Sequence, residues 1–264
     1  MGKILIGYEN HADVATLSGG SWTIPLTTLQ DPRPGRKARS SNDALSSTIV
    51  RADLGSAKAM RLAALTHTNL SATALYQITW FSDAYSTAIA NTGWLPIAGY
   101  PTDDPDFLGP SIWHVFATAV TARWWQIEID DEDNVAGYIE IGRLFLPTVW
   151  EPPYNFSPEG NSDGIEPNSP RQDALGGYGY FNRRTPKRFL RAQWPTLPGS
   201  EAQVLRRLRR LCGINRQVVV IPNPDDTSNF HERNFVATMR ETPAIALFAA
   251  PYLSTGFDFT EVVP

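Results

Sequence analysis

The sequence predicts a mainly β protein in two parts: an antiparallel β-sandwich in the first half and a smaller β-rich domain with one amphipathic helix in the second. Three observations predict this. Between Ser47 and Trp80, Ile49, Arg51 and Asp53 alternate with Val50, Ala52 and Leu54, and turn residues such as Gly55, Asn69 and Ser71 punctuate the runs that follow. The 264 residues include 21 prolines, 19 glycines and 8 tryptophans, a loop-rich composition. Only Ser200 to Cys212 carries a helical apolar period.

The elements follow in order. Lys3 to Gly7 reads as a short strand, Asn10 to Gly20 as a polar loop and Trp22 to Leu26 as a second strand. The next segment, Asp31 to Arg39, holds Pro32, Pro34 and Gly35, so it is a loop. Its cations Arg33, Arg36, Lys37 and Arg39 suit either a solvated loop or a docking loop that meets an acidic neighbour. Ile49 to Leu54, Arg61 to Leu65 and Ala74 to Trp80 are three strands at sandwich spacing. Asn91 to Pro110 is a long loop with Asp103, Asp104 and Asp106. Trp94 and Tyr100 lie on it, placed either to stack on a sugar or to pack against the sheet edge. Trp113 to Thr118 is a strand. Arg123 to Ile129 and Tyr138 to Leu146 read as a hairpin closed by Asp130 to Asn134. The carboxylates of that acidic turn are candidate Ca²⁺ ligands. The turn lacks the glycine and closing glutamate of an EF-hand, and a solvated turn is the simpler reading.

Residues 1–150 are expected to form the sandwich domain, 151–170 a proline-rich linker, and 171–264 a β-rich domain with helix 200–212. The linker assignment rests on Pro152, Pro153, Pro158, Pro167 and Pro170 with no surviving hydrophobic period. In the helix, Ser200 and Gln203 form a capping box, Val204, Leu205, Leu208, Leu211 and Cys212 share one face, and Gly213 stops it. Arg206, Arg207, Arg209 and Arg210 lie opposite, as solubilising charge or as a subunit contact. Gln217 to Ile221 is a strand of the buried type, and three further strands follow.

Composition excludes several classes. Apolar content of 42% with 19% charge is that of a folded protein, and a net charge of −4 gives no bulk attraction to nucleic acid or anionic membrane. Aromatics and cations interleave between Tyr178 and Trp194, but the run is too short to make nucleic acid the expected partner. No segment reads as a signal peptide or membrane span, so synthesis in the cytosol is expected. A lone Cys212 rules out an intrachain disulfide. His11, His67, His114 and His231 show no metal-ligand spacing, and no nucleophile elbow or phosphate-binding glycine pattern occurs. Neither enzymatic activity nor a cofactor is expected.

Several phrases resemble known families. Asp53-Leu54-Gly55, the Tyr76-x-Ile78-x-Trp80 strand, Ala122-Arg123-Trp124-Trp125 and Ile139-Glu140-Ile141-Gly142-Arg143-Leu144 resemble the galactose-binding-like (discoidin-type) jelly roll over residues 1–150. That resemblance implies the fold and leaves the ligand open; members often hold a structural Ca²⁺ in other loops. Arg191-Ala192-Gln193-Trp194, the helix, Val218 to Asp226 and Ser254 to Phe259 resemble the second domain of tail-tip (distal tail or baseplate) proteins of long-tailed bacteriophages. This second resemblance implies a structural ring in a virion tail, a homo-oligomer of unknown size that joins the tail tube to distal or fibre proteins after synthesis in the bacterial cytoplasm. The alternative is a carbohydrate-binding module protein that recognises cell-surface glycans through Trp94 and Tyr100.

Overall fold

The computed structural model describes residues 2–100, 109–173, 176–242, 244–249 and 251–263. Asp103, Asp104 and Asp106 of the expected long loop lie outside them. The protein is mainly β, a sandwich joined to a β-rich unit that carries the helix Ala202–Cys212.

The sandwich has two antiparallel sheets. One follows the order Arg143–Phe145, Val50–Thr66, Ile112–Asp130, Leu75–Phe81, Ala88–Asn91, with two short strands beside that path. The other is Glu140–Ile141, Ala38–Ser40, Trp22–Ile24. Seven strands over three make the double-sheet arrangement of a jelly-roll-like β-sandwich. Val50, Ala52, Ile78, Trp125 and Ile127 from the first sheet meet Ala38, Ile139 and Ile141 between them.

The strand pattern corrects two expectations. Leu54-Gly55-Ser56 does not separate two strands. Val50–Thr66 runs through it, because Gly55 sits at φ 73° and the ladder slips from Asp53↔Trp124 to Lys58↔Ala122. The expected hairpin of Arg123–Ile129 with Tyr138–Leu146 also does not form. Ile112–Asp130 pairs with Val50–Thr66 and Leu75–Phe81, while Glu140–Ile141 pairs with Ala38–Ser40 across the core. The acidic turn changes sheets. Asp131 is 4% exposed and accepts hydrogen bonds from Ser71 N–H at 3.0 Å, Ser71 Oγ and Asn134 Nδ2 at 2.6 Å.

The second unit does not begin after residue 150. Its eight-stranded antiparallel sheet takes Leu5–Asn10 and Pro147–Trp150 from the first half. Leu5–Asn10 lies between Pro147–Trp150 and Val218–Ile221, with Asn10 opposite Pro147. The sandwich is therefore an insertion between two strands of one sheet, and the boundaries 1–150 and 171–264 are corrected accordingly. Nor is 151–170 wholly a linker, since Ser162–Glu166 pairs antiparallel with Lys187–Pro198 as an edge strand, Ser162 opposite Arg191 and Glu166 opposite Lys187. The prolines flank this strand instead of occupying it, which leaves its backbone donors free to pair.

Both faces of this sheet are covered, and that explains the continuous apolar runs. Ile4, Ile6, Tyr8, Val218 and Val220 face Leu205, Leu208 and Cys212 of the helix. Leu5, Val219 and Ile221 face Leu62, Ala64, Trp113 and Phe145 of the sandwich. With side chains alternating across a strand, both sets must be apolar. The helix starts at Ala202 after a 3-10 turn, Gly199–Glu201, so Ser200 makes no cap; Gly213 at φ 50° ends it as expected. Cys212 is inert core: its Sγ donates to Tyr8 O at 3.1 Å, and burial pushes the thiol up to about 12. No helix among the described residues is long and apolar enough to cross a membrane.

Candidate functional site

The residues singled out in the sequence fall into three places. Tyr100 is half-buried against the sandwich core, donates to Leu70 O at 3.3 Å and meets the His231 ring edge-on at 6.4 Å. It packs against the sandwich, the second of the two placements open to an aromatic on this loop. Trp94 stays 40% exposed after the Gly93 turn, beside the edge strand Leu95–Pro96. The two do not form one platform.

The basic loop is engaged within the chain. Arg33 and Arg36 reach Asp31 at 2.6 and 3.6 Å, and Lys37 and Arg39 reach Glu140 at 3.7 and 2.6 Å. Arg39 also lies 4.3 Å from the Tyr138 ring centre. The docking-loop reading gives way to a strap that ties Ala38–Ser40 to the strand Glu140–Ile141. On the helix, Arg207 pairs with Glu9 at 2.7 Å, while Arg209 packs over Phe257 and donates to Thr255 Oγ1. Arg206 and Arg210 remain exposed. The four arginines are thus not one free contact face.

The histidines are structural or neutral. His231 accepts from Ser111 N–H at 2.8 Å through Nε2, so Nδ1 carries the proton and donates to Gly99 O at 2.7 Å. Both nitrogens serve to pin the sandwich to the turn Phe230–Arg233. His114 meets Tyr76 OH at 3.2 Å, and burial lowers it to about 4. Among the described residues no three His, Cys, Asp or Glu side chains converge as metal ligands.

A different group stands on the outer face of the sandwich. Opposite the buried positions Val50, Ala52, Trp125 and Ile127, the alternation presents Arg51, Asp53 and Trp124. Arg123 grips Asp53 with both arms, Nε to Oδ1 at 2.6 Å and Nη2 to Oδ2 at 2.8 Å. Arg123 also lies 4.6 Å from the Trp124 ring centre. The Gly55 N–H adds a bond to Asp53 at 2.8 Å, and these partners, Arg123 first, hold the carboxyl down to about 2. Tyr85 flanks the pair. It lies 5.0 Å under Arg51 and adopts φ 68°, a left-handed backbone that a tyrosine rarely takes. The turn is held by Asp83, which accepts from Ser86 and Thr87 N–H at 3.1 and 2.7 Å. Burial, ahead of the charge on Asp53, raises the Tyr85 hydroxyl to about 12. Side-chain exposures of 39% for Arg123 and 24% for Asp53 leave the ion pair reachable from solvent.

The sequence alone does not mark this group as a site. Its signal was present, in the polar members of two alternating strands, but the pairing Asp53↔Trp124 is a matter of register.

No family model and no curated protein matches the chain. Solved structures do. The family 32 carbohydrate-binding module of NanJ from C. perfringens, in complex with galactose, is similar at 15% identity and TM-score 0.37, over 53% of this chain and 96% of that one. Chitosan-binding module 2 of a chitosanase/glucanase from Paenibacillus sp. IK-5, in complex with chitotriose, is similar at 18% identity and TM-score 0.37, over 53% and 99%. SpGH29 is similar at 16% identity and TM-score 0.38 over 53% of this chain, which spans only 28% of SpGH29. The fold assignment here rests on the sheet topology itself.

Proposed function

We propose that the chain is a non-catalytic glycan-binding protein whose sandwich presents Trp124, Tyr85 and the Asp53–Arg123 pair to a saccharide. The observation that carries this reading is the bidentate ion pair set beside an indole on an open sheet face. A carboxylate and a guanidinium held in fixed register offer acceptors and donors to adjacent hydroxyls, and an aromatic face covers the apolar side of a sugar ring. The arrangement is made before binding, so little ordering is needed. Trp124→Ala is expected to weaken binding to immobilised glycans tenfold or more, about 1.4 kcal/mol, with the melting temperature retained. Asp53→Asn should weaken it as well. A glycan array on which wild type and Trp124→Ala bind alike would remove this face from the proposal, and an array with no wild-type binding would end it.

A second reading, the tail-tip ring subunit of a long-tailed phage or prophage, draws on one feature. Among the described residues the hairpin Arg171–Asp173 with Gly179–Phe181 pairs with no other strand, and Tyr178, Tyr180 and Phe181 are 77%, 66% and 65% exposed. An isolated two-stranded hairpin is marginal in water and gains from a partner surface. In this reading the arm lies on a neighbouring copy within a virion tail. Light scattering should then give an oligomeric mass that falls to the monomer when all three aromatics are changed to Ser. A monomeric wild-type protein at high concentration would count against the ring.

A further inference from the structure

A cavity of about 840 Å³ lies where the sandwich meets the eight-stranded sheet. Its size is within the range of small-molecule sites. Trp113, Phe156 and Phe189 give it apolar walls, and His67, Arg188 and Glu261 are among its polar lining.

His67 is the unusual member. It is 8% exposed and sits at φ 55°, and its ring has no hydrogen-bond partner among the described residues. Strained backbone persists only where the surroundings enforce it, and it concentrates at binding sites. The same wall contains Thr66 Oγ1, Trp113 Nε1 and both amide atoms of Asn234, all buried and without a protein partner among the described residues. Buried polar groups are normally paired, so this many in one wall is a departure that calls for a ligand.

The charges around the cavity indicate what kind. Arg188 is consumed: it donates to Glu232 O at 3.1 Å, to His231 O and to the Glu261 carboxylate, which is 4% exposed. Arg233 is paired with Asp226 at 3.3 Å. Asp163 and Glu232, the other two charges on the lining, are acids on exposed rim positions and oppose an anion. A neutral imidazole keeps one donor and one acceptor, the combination a hydroxyl group matches. We infer that this junction cavity is a second binding site, separate from the outer face, for a neutral polyhydroxylated molecule of saccharide size, oriented by His67 and covered by Trp113 and Phe189.

The test uses the full chain. Galactose, glucose and N-acetylglucosamine serve as neutral probes, glucosamine as the cationic control, and galacturonate and inorganic phosphate as anionic controls. Binding is followed by saturation-transfer NMR and by chemical-shift changes. His67→Gly removes the ring while relieving the left-handed backbone, so it should fold at least as well as wild type. It is expected to weaken neutral-sugar binding at the cavity tenfold or more, and Thr185→Trp, which fills the cavity from a loop, should abolish it. Trp124→Ala should leave it unchanged, which separates failure here from failure on the outer face. Binding by none of the neutral probes, binding only of the charged controls, or equal affinity in wild type and both cavity variants would each overturn the inference.

Discussion

Residues 147–264 produced alone should not fold, whereas residues 11–146 should. The strand Leu5–Asn10 is an interior member of the eight-stranded sheet, paired on one side with Pro147–Trp150 and on the other with Val218–Ile221. Its loss would leave two interior edges with unpaired backbone groups. It would also remove Ile4, Leu5 and Ile6, each no more than 1% exposed, and half-open the pocket that receives Leu205, Leu208 and Cys212. Each such side chain contributes about 1.5–3 kcal/mol on burial. Together they approach the roughly 5–15 kcal/mol by which a whole domain is stable. The sandwich keeps its own core, and its ends are already together, since His11 N–H donates to Leu146 O at 3.0 Å. Circular dichroism melts of the two fragments decide the matter. A cooperative transition in 147–264 without the first ten residues would show that the strand is dispensable.

The second large effect is on stability against pH. Burial lowers His67 to about 4; Glu261 opposes the shift, while Lys37 and Arg188 reinforce it. In the unfolded chain a histidine titrates near its ordinary value of about 6.5. The native state therefore takes up this proton less readily than the unfolded state. The stability is fully present above about pH 6.5, falls as pH drops from there to about 4, and changes no further below. A gap of that size corresponds to about 3 kcal/mol for His67. His114, also lowered to about 4 by burial, acts in the same direction. Urea denaturation at pH 7.5 and 4.5 should show a loss of this order in wild type and a smaller one in His67→Gly. Equal losses in the two proteins would mean that His67 is protonated in the native state without penalty. Asp53, held down to about 2, contributes in a lower window, below about pH 4, so the two effects separate.

What the sequence determined by itself is local. Period-two alternation marked the strands of the sandwich, the apolar face of Leu205, Leu208 and Cys212 marked the helix, and the left-handed glycine at 213 marked its end. These signals depend on neighbours a few residues away, and side-chain direction alone is enough to read them. The run Val218–Ile221 was legible as buried for the same reason, being apolar on both sides.

Only the tertiary structure decided which strands pair. Arg123–Ile129 and Tyr138–Leu146 have the alternation of a hairpin, yet the turn at Asp130–Asn134 crosses the core, because Asp131 is bonded to Ser71 and Asn134. Leu5–Asn10 gives no sign that its partners lie some 140 and 210 residues away, at Pro147–Trp150 and Val218–Ile221. The candidate sites share that origin. Asp53 and Arg123 are unremarkable polar positions until register sets them 2.6 Å apart, and His67 meets Arg188 and Glu261 around one cavity only because an inserted sandwich packs back on the sheet it interrupts. Hydrogen-bond ladders are chemically the same at every residue, so sequence specifies the faces of strands far more strongly than their partners.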